Sequence, residues 1–302
     1  MWVRFPPLLP NHAINRSMRK LNGLANSYWG MNLDMVNHPT RLVDVWKSSL
    51  NEIAKDKVVV DLGCGTGVLG MYALEQGAKF VYFVEGQDRM VALLEETLPT
   101  ILPYNNYKII HKNIFDLATE DFDLGVPDIV VSETIGAQIF EERYVSFCQH
   151  MKSLYKDLIF IPNFLEVEIR IAEIDHTKFP WPYNEPSLIE IYKNYYDKVN
   201  FFIFPGLTGL EQCDPELINL EQTKLLGSIF YDAKTDKSNL SFNFEIDENK
   251  ECLIYCIGKV SQDLVRTREC THFGWYLNPK NSKGKYQLLF DIPTNKLHIS
   301  RR

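Results

Sequence analysis

Long apolar runs, a paired cysteine framework, an excess of basic residues and repetitive segments are all missing from this sequence, and each absence removes a class of protein. Even Phe201–Phe204 is cut off by Pro205 and Gly206, far short of the roughly 18 consecutive apolar residues of a membrane span, so no transmembrane anchor is expected. Pro6, Pro7 and Pro10 interrupt the short apolar run at the N-terminus, and the basic residues follow that run. This is not the order of a secretory signal, and a cytoplasmic location is expected. The six cysteines, Cys64, Cys148, Cys213, Cys252, Cys256 and Cys270, form no paired framework in a chain of this length and read as reduced thiols. Cys252 and Cys256 share one face of an apolar strand and have no second Cys/His pair at a metal-binding spacing, so no metal site is expected. With 32 Lys and Arg against 39 Asp and Glu, the net charge is −7, and the clustered bases that grip a phosphate backbone are lacking. Neither nucleic acid nor membrane is an expected partner; a cationic one is. No repeat or low-complexity segment is present.

What is present is an ordinary globular composition of 302 residues, enough for two domains with a core each. The first half alternates short apolar runs with amphipathic segments, the pattern of a parallel sheet covered by helices. Strands are expected at Val58–Leu62, Val81–Glu85, Tyr107–His111, Asp128–Glu133 and Leu158–Pro162, and helices at Val68–Gln76, Asp88–Leu98 and Glu142–Tyr155. Beyond Pro162 the period changes to two. Leu165, Val167, Ile169 and Ile171 alternate with Glu166, Glu168 and Arg170, as in a half-buried strand. Leu240–Ile246, Cys252–Val260 and Tyr286–Ile292 read the same way, with a helix expected at Ser187–Tyr196. The pattern predicts a doubly wound α/β domain over 46–162 and a mainly β domain, a small barrel or sandwich, over 163–302.

The first strand runs into a glycine loop, VVVDLGCGTG over 58–67, with Gly63, Gly65 and Gly67 immediately before a helix. Glycine lets the backbone pass closely under a ligand and exposes amides at the helix start. Glu85 ends the next strand, 24 residues after Asp61, where an acid can accept both ribose hydroxyls of an adenosine. The loop reads G-x-G-x-G after an acid, not the G-x-G-x-x-G of a dinucleotide site. An acid beside the loop repels phosphate but suits an ammonium group. S-adenosylmethionine, which has an adenosine, an ammonium group and no phosphate, fits best; a dinucleotide and a purely structural glycine turn are the alternatives.

The fourth strand ends at Glu133, and nine residues on stands Glu142. Ligands of open α/β sheets bind at the carboxyl ends of the strands, so Glu133 is placed at the crevice and Glu142 can return to it from the next helix. Two carboxylates there can clamp a cation, and a planar guanidinium with five N–H donors suits them. Alternatively, Glu142 is a solvated residue in the first turn of a helix.

Together, VVVDLGCGTG, the acid in YFVEG, the SETIGAQIFEE segment and Thr271-His272-Phe273 resemble the protein arginine methyltransferase family, a class I S-adenosylmethionine-dependent group. These stretches match its glycine motif, ribose acid, double-glutamate loop and Thr-His-Trp loop. The resemblance implies a Rossmann-like methyltransferase domain followed by a shortened, barrel-like β domain, with 1–45 as an N-terminal segment carrying a cofactor lid. It implies that Glu133 and Glu142 hold the guanidinium with His272 assisting proton loss. Arg41, Asp61, Gly63, Gly65, Gly67, Glu85 and Ile114 would hold S-adenosylmethionine, and Met35 would bound the acceptor pocket. A homodimer is implied as well, with the aromatic-rich Trp181–Phe204 as a candidate association surface.

The departures from the family bear on the acceptor. Asn22–Asn26 has no aromatic where the family carries a Tyr-Phe-x-x-Tyr pattern, His38 aligns with the aspartate that partners the loop histidine, and Phe273 replaces the loop tryptophan. Asp34 is a candidate substitute for that aspartate. Only 29 residues follow Phe273, so an abbreviated β domain is expected, and with it free L-arginine slightly ahead of an arginine-containing peptide. A non-catalytic partner of another methyltransferase is the reading from a different class.

Overall fold

The computed structural model describes residues 43–103, 105–136, 139–140, 142–172, 201–203, 223–249, 252–277 and 282–302. All belong to the second of two compact units, Val43–Arg302, the first being Met1–Leu42. Met35, Arg41, Asn22–Asn26, Asp34, His38 and the helix expected at Ser187–Tyr196 lie outside the described residues.

Five parallel strands come first: β1 (Val58–Leu62), β2 (Phe80–Glu85), β3 (Tyr107–His111), β4 (Ile129–Val131) and β5 (Ile159–Ile161). Their order is β3-β2-β1-β4-β5, with Val60 of β1 paired to Tyr82 on one side and Val130 on the other. The chain builds outward from β1 in one direction and then restarts on its other side. The crevice beyond the carboxyl ends of β1 and β4 is therefore the topological switch point where such sheets bind ligands. Every residue of β1 and β4 is buried, as expected of strands covered on both faces.

A π-helical turn, Val43–Lys47, leads into α1 (Ser48–Ile53), followed by α2 (Val68–Glu75), α3 (Asp88–Ile101) and α4 (Tyr144–Leu154). Helix α3 buries Met90, Val91, Leu94 and Leu98, one stripe at helical spacing. Each such side chain contributes about 1.5–3 kcal/mol when removed from water. Helix α2 lies close on the sheet because Gly70 has no side chain; a Cβ there would stand 2.3 Å from the Phe83 ring.

Two of the boundaries that differ from the sequence pattern bear on the site. The ladder of β4 stops at Val131, short of Glu133, because the Ser132 side chain turns back to donate to the Leu62 carbonyl at 2.7 Å. Helix α4 begins at Tyr144 rather than Glu142 because Arg143 has a left-handed φ of 69°, which an α-helix cannot incorporate. Glu142 is thus an exposed turn residue before the helix.

The antiparallel region begins with β6 (Phe164–Ala172) and continues with β7 (Phe201–Ile203), β8 (Lys224–Asp232), β9 (Ser238–Asn239), β10 (Ser241–Ile246), β11 (Cys252–Gln262), β12 (Arg266–Leu277), β13 (Gly284–Asp291) and β14 (Lys296–Arg301). These form a six-stranded sheet, β7-β12-β11-β6-β8-β9, and a three-stranded sheet, β10-β13-β14. The alternation read in β6 is present: Leu165, Val167 and Ile169 are buried, whereas Glu166, Glu168 and Arg170 are partly exposed. The two sheets close in a barrel-like manner where the Phe242 ring of β10 occupies the space beside Gly227 of β8. Cys252 and Cys256 are buried in β11.

The junction of the two regions is tightly bonded. Tyr144 of α4 donates its hydroxyl to the Pro162 carbonyl. Asn163 exchanges two hydrogen bonds with Asp263 of the β11–β12 turn, at 3.0 and 2.9 Å. The Asn163 carbonyl accepts the Ala233 amide at 2.7 Å.

Candidate active site

The glycine loop follows β1, and its three glycines have φ values of 68°, 52° and 76° at Gly63, Gly65 and Gly67. This is a backbone path that side-chain-bearing residues rarely adopt. The amides of Gly63 and Cys64 both donate to the Val84 carbonyl at 3.0 Å, tying the loop to the end of β2. A Cβ built on Gly63 would stand 2.7 Å from Thr134 Cγ2 and 3.8 Å from Ile114 Cδ1. Three segments distant in sequence, after β1, β3 and β4, therefore meet at Gly63.

Two carboxylates lie beneath this loop. Glu85 is buried, with Oε2 accepting the Gly65 amide and Oε1 accepting those of Gly86 and Gln87, each at 2.9 Å. An ionised carboxylate offers about four acceptor positions, so the three amides orient the group while leaving capacity for a hydroxyl donor. Asp61 is buried under α2, where its Oδ2 accepts the Gly70 amide at 2.7 Å. Burial pushes its carboxyl up to about 8; the Gly70 N–H opposes the shift and the charge of Glu85 adds to it. Glu85, at the carboxyl end of β2 beside the glycine loop, disfavours a phosphate there and retains acceptor capacity for hydroxyl donors such as those of a ribose. Only glycine at 63 lets the loop approach the segment after β4 this closely, because a Cβ would run into Thr134.

Ser132 anchors the end of β4. Its amide donates to Ile161, its hydroxyl to Leu62, and its carbonyl accepts the buried Trp46 indole N–H at 2.8 Å. Its hydroxyl also lies 2.8 Å from Thr134 Oγ1. The backbone on either side of Glu133 is thereby held by three strands and the N-terminal helical segment. Ile114 opens a 3₁₀ turn capped by Asn113, whose side chain accepts the Phe115 amide at 3.0 Å. Beyond Glu133 the loop runs through Ile139 and Phe140, both fully buried, to Glu142 at the start of the β4–α4–β5 crossover. That position is at the carboxyl end of the sheet.

Thr271–Phe273 lies within strand β12, where a loop was expected from the resemblance; the ladder with β11 is continuous through it. His272 occupies the register position opposite Ile257, which in turn pairs with Glu168 of β6. The segment Val43–Lys47 packs against both β11 and β12, so the element carrying Trp46 touches the strand carrying His272. Sequence reasoning missed Trp46, Ser132, Thr134 and Phe140. The signal for Ser132 was a polar residue ending an apolar strand; for the others it resides in contacts between distant segments.

The methyltransferase small domain profile matches residues 42–132. Among curated proteins, a probable protein arginine N-methyltransferase 3 of Arabidopsis thaliana is 26% identical over 47% of this chain and 26% of its own length. Protein arginine N-methyltransferase 1 of Chlamydomonas reinhardtii is 31% identical over 38% of this chain and 33% of its own. Its namesake in Saccharomyces cerevisiae is 26% identical over 76% of this chain and 65% of its own.

This chain is related to the protein arginine N-methyltransferases.

The match spans less than two thirds of each of these relatives. The solved structure of PRMT6 superposes with a TM-score of 0.62 at 14% identity, covering 91% of this chain and 99% of that one. The Trypanosoma brucei PRMT1 enzyme–prozyme complex with AdoHcy gives 0.57 at 17% identity, covering 88% and 89%. These likenesses establish a fold in which a Rossmann-like sheet is followed by a barrel-like β region.

Proposed function

We propose that this protein is an S-adenosylmethionine-dependent arginine Nω-methyltransferase. The observation that carries the reading is the meeting at Gly63 of the glycine loop, Ile114 and Thr134, the residue after Glu133. It supports a cofactor cradle and an acidic acceptor loop that share one crevice.

In this reading Glu85 holds the ribose hydroxyls, Gly63, Gly65 and Gly67 pass under the methionine end, Asp61 favours its ammonium group, and Ile114 borders the adenine. Arg41 is proposed for the cofactor carboxylate and Met35 for the edge of the acceptor pocket. S-adenosylmethionine, when bound, supplies an electrophilic methyl group. Glu133 and Glu142 accept N–H bonds from the guanidinium, fix its plane and draw its positive charge toward the bonded nitrogens, which leaves the attacking nitrogen more nucleophilic. As the N–C bond forms, the methyl–sulfur bond breaks and its electron pair stays on sulfur, leaving a neutral thioether; one proton then leaves the methylated nitrogen for solvent or for His272.

Free L-arginine is placed ahead of an arginine-containing peptide because Phe273 and Asn22–Asn26 depart from the protein-modifying pattern. We infer a homodimer from the same family resemblance. Purified protein incubated with S-adenosylmethionine and, separately, free L-arginine, an arginine-rich peptide and a lysine-rich peptide tests the reading by mass spectrometry of the acceptor. Methylated free arginine is expected. Methylation of the arginine peptide alone would make the protein a peptide-modifying enzyme. No arginine product in any tube, with cofactor binding intact, would overturn the catalytic reading in favour of a non-catalytic partner.

A further inference from the structure

The acidic loop has two left-handed corners, each closing a turn: the Ile139 amide donates to the Gly136 carbonyl at 2.9 Å and the Arg143 amide to that of Phe140 at 3.2 Å. Ile139 has a φ of 67°, a left-handed value that is costly for a β-branched side chain, and it is fully buried. Such backbone persists only where the surrounding structure over-determines it. The next residue, Phe140, is also fully buried, and its ring lies against that of Phe290, with centroids 4.8 Å apart and planes inclined by 32°. Phe290 belongs to β13, some 150 residues away. It is fixed there by pairing with Leu297 of β14 and by its amide, which donates to the Leu240 carbonyl at 2.8 Å. On the other side of Glu142, Arg143 also has a left-handed φ, and its guanidinium stands 4.4 Å over the Phe115 ring, beside Ile114. Glu142 thus lies between two constrained corners, one pinned to the C-terminal hairpin and one to the wall of the crevice.

We propose that Phe290 is a positioning residue for the acceptor carboxylates: by packing on Phe140 it holds the strained corner at Ile139 and thereby sets where Glu142 stands. The inference rests on the reading that Glu133 and Glu142 bind the acceptor guanidinium. It gives the C-terminal hairpin a role in acceptor binding although the hairpin belongs to the antiparallel region. Without the Phe290 ring, a cavity opens beside Phe140, the corner relaxes toward ordinary φ values and Glu142 moves with it. The cofactor cradle, built from β1, β2 and the glycine loop, is left in place.

Phe290→Ala and Phe140→Ala are compared with the intact protein, with Phe290→Leu as the conservative variant should Phe290→Ala fail to fold. The acceptor kcat/KM is expected to fall by about tenfold or more in either alanine variant, with cofactor Kd changed by less than about twofold and Phe290→Leu intermediate. The double variant is expected to lose about as much as either single one, because the two rings act as a pair. Hydrogen exchange is expected to quicken in peptides covering 133–142 but not in those covering 58–67. Retention of acceptor kcat/KM in both alanine variants, or a loss of cofactor affinity in proportion, would overturn the proposal. An intact protein that methylates no arginine would instead retire the proposed function, and the exchange measurement would still report whether the two rings hold the loop.

Discussion

The two halves of the crevice are made in different ways. The cofactor side is built from backbone: three glycines at positive φ, and amides of Gly65, Gly86 and Gln87 that converge on Glu85. Its partners lie within about one βαβ unit of one another in the chain. The side proposed for the acceptor is held by side chains, two of them meeting across long stretches of chain, Trp46 on the Ser132 carbonyl and Phe140 on Phe290, and a third, Arg143, standing over Phe115. A backbone-built site must be specified by local motifs, whereas a site assembled by long-range packing can change its partners while keeping its shape. The first is the better place to recognise a family, the second the better place to look for a change of acceptor.

Several substitutions would break or sharpen this contrast. The largest effect is expected from Glu133→Gln, which keeps the shape and removes the charge proposed to bind the guanidinium. Turnover should fall by roughly 100- to 1,000-fold, the scale of losing one charge-stabilising group, with cofactor affinity unchanged. Gly63→Ala acts on the other side. Its Cβ would stand 2.7 Å from Thr134 at a φ of 68°, so backbone strain of about 1–2 kcal/mol adds to the clash. Calorimetry should show cofactor affinity weakened, with turnover recovering at high cofactor concentration.

A smaller effect is expected at the seam. Trp46→Phe removes the indole N–H from the Ser132 carbonyl while keeping most of the packing, and denaturant unfolding should show a loss of about 1–3 kcal/mol for the buried carbonyl left unpaired. A further effect is a slope with pH. The Asp61 carboxyl is raised from 3.8 to about 8 by folding, so between those values the folded chain binds more protons than the unfolded one. Its stabilising contribution is fully present below about pH 3.8 and is lost as pH rises toward 8, at no more than about 1.4 kcal/mol per pH unit. Asp61→Asn should flatten the stability profile over that window, read from urea unfolding without cofactor.

This contrast also explains what could be read from the amino acids alone. β1, β3 and the start of α2 lie where the apolar runs and Gly67 put them, because those signals are local. The place of Glu85 at the end of β2 was legible because the acid closes the second apolar run, 24 residues after Asp61. The end of β4 was not, since Ser132 stops the ladder through a side-chain bond to Leu62, 70 residues earlier. The start of α4 was missed because the left-handed φ of Arg143 has no signature in a residue type that usually avoids it. Phe140 and Phe290 are ordinary apolar residues in sequence, and only the closing of the barrel-like region brings their rings together.

The central claim is that the two sides of the crevice are separable, one holding the cofactor and the other the guanidinium. Measuring cofactor Kd and arginine-methylating turnover in parallel for Glu133→Gln and Gly63→Ala tests it most directly. The account predicts that Glu133→Gln keeps the affinity and loses the turnover, whereas Gly63→Ala loses affinity and regains turnover at saturating cofactor. Full turnover in Glu133→Gln, or equal loss of both quantities in both variants, would contradict it.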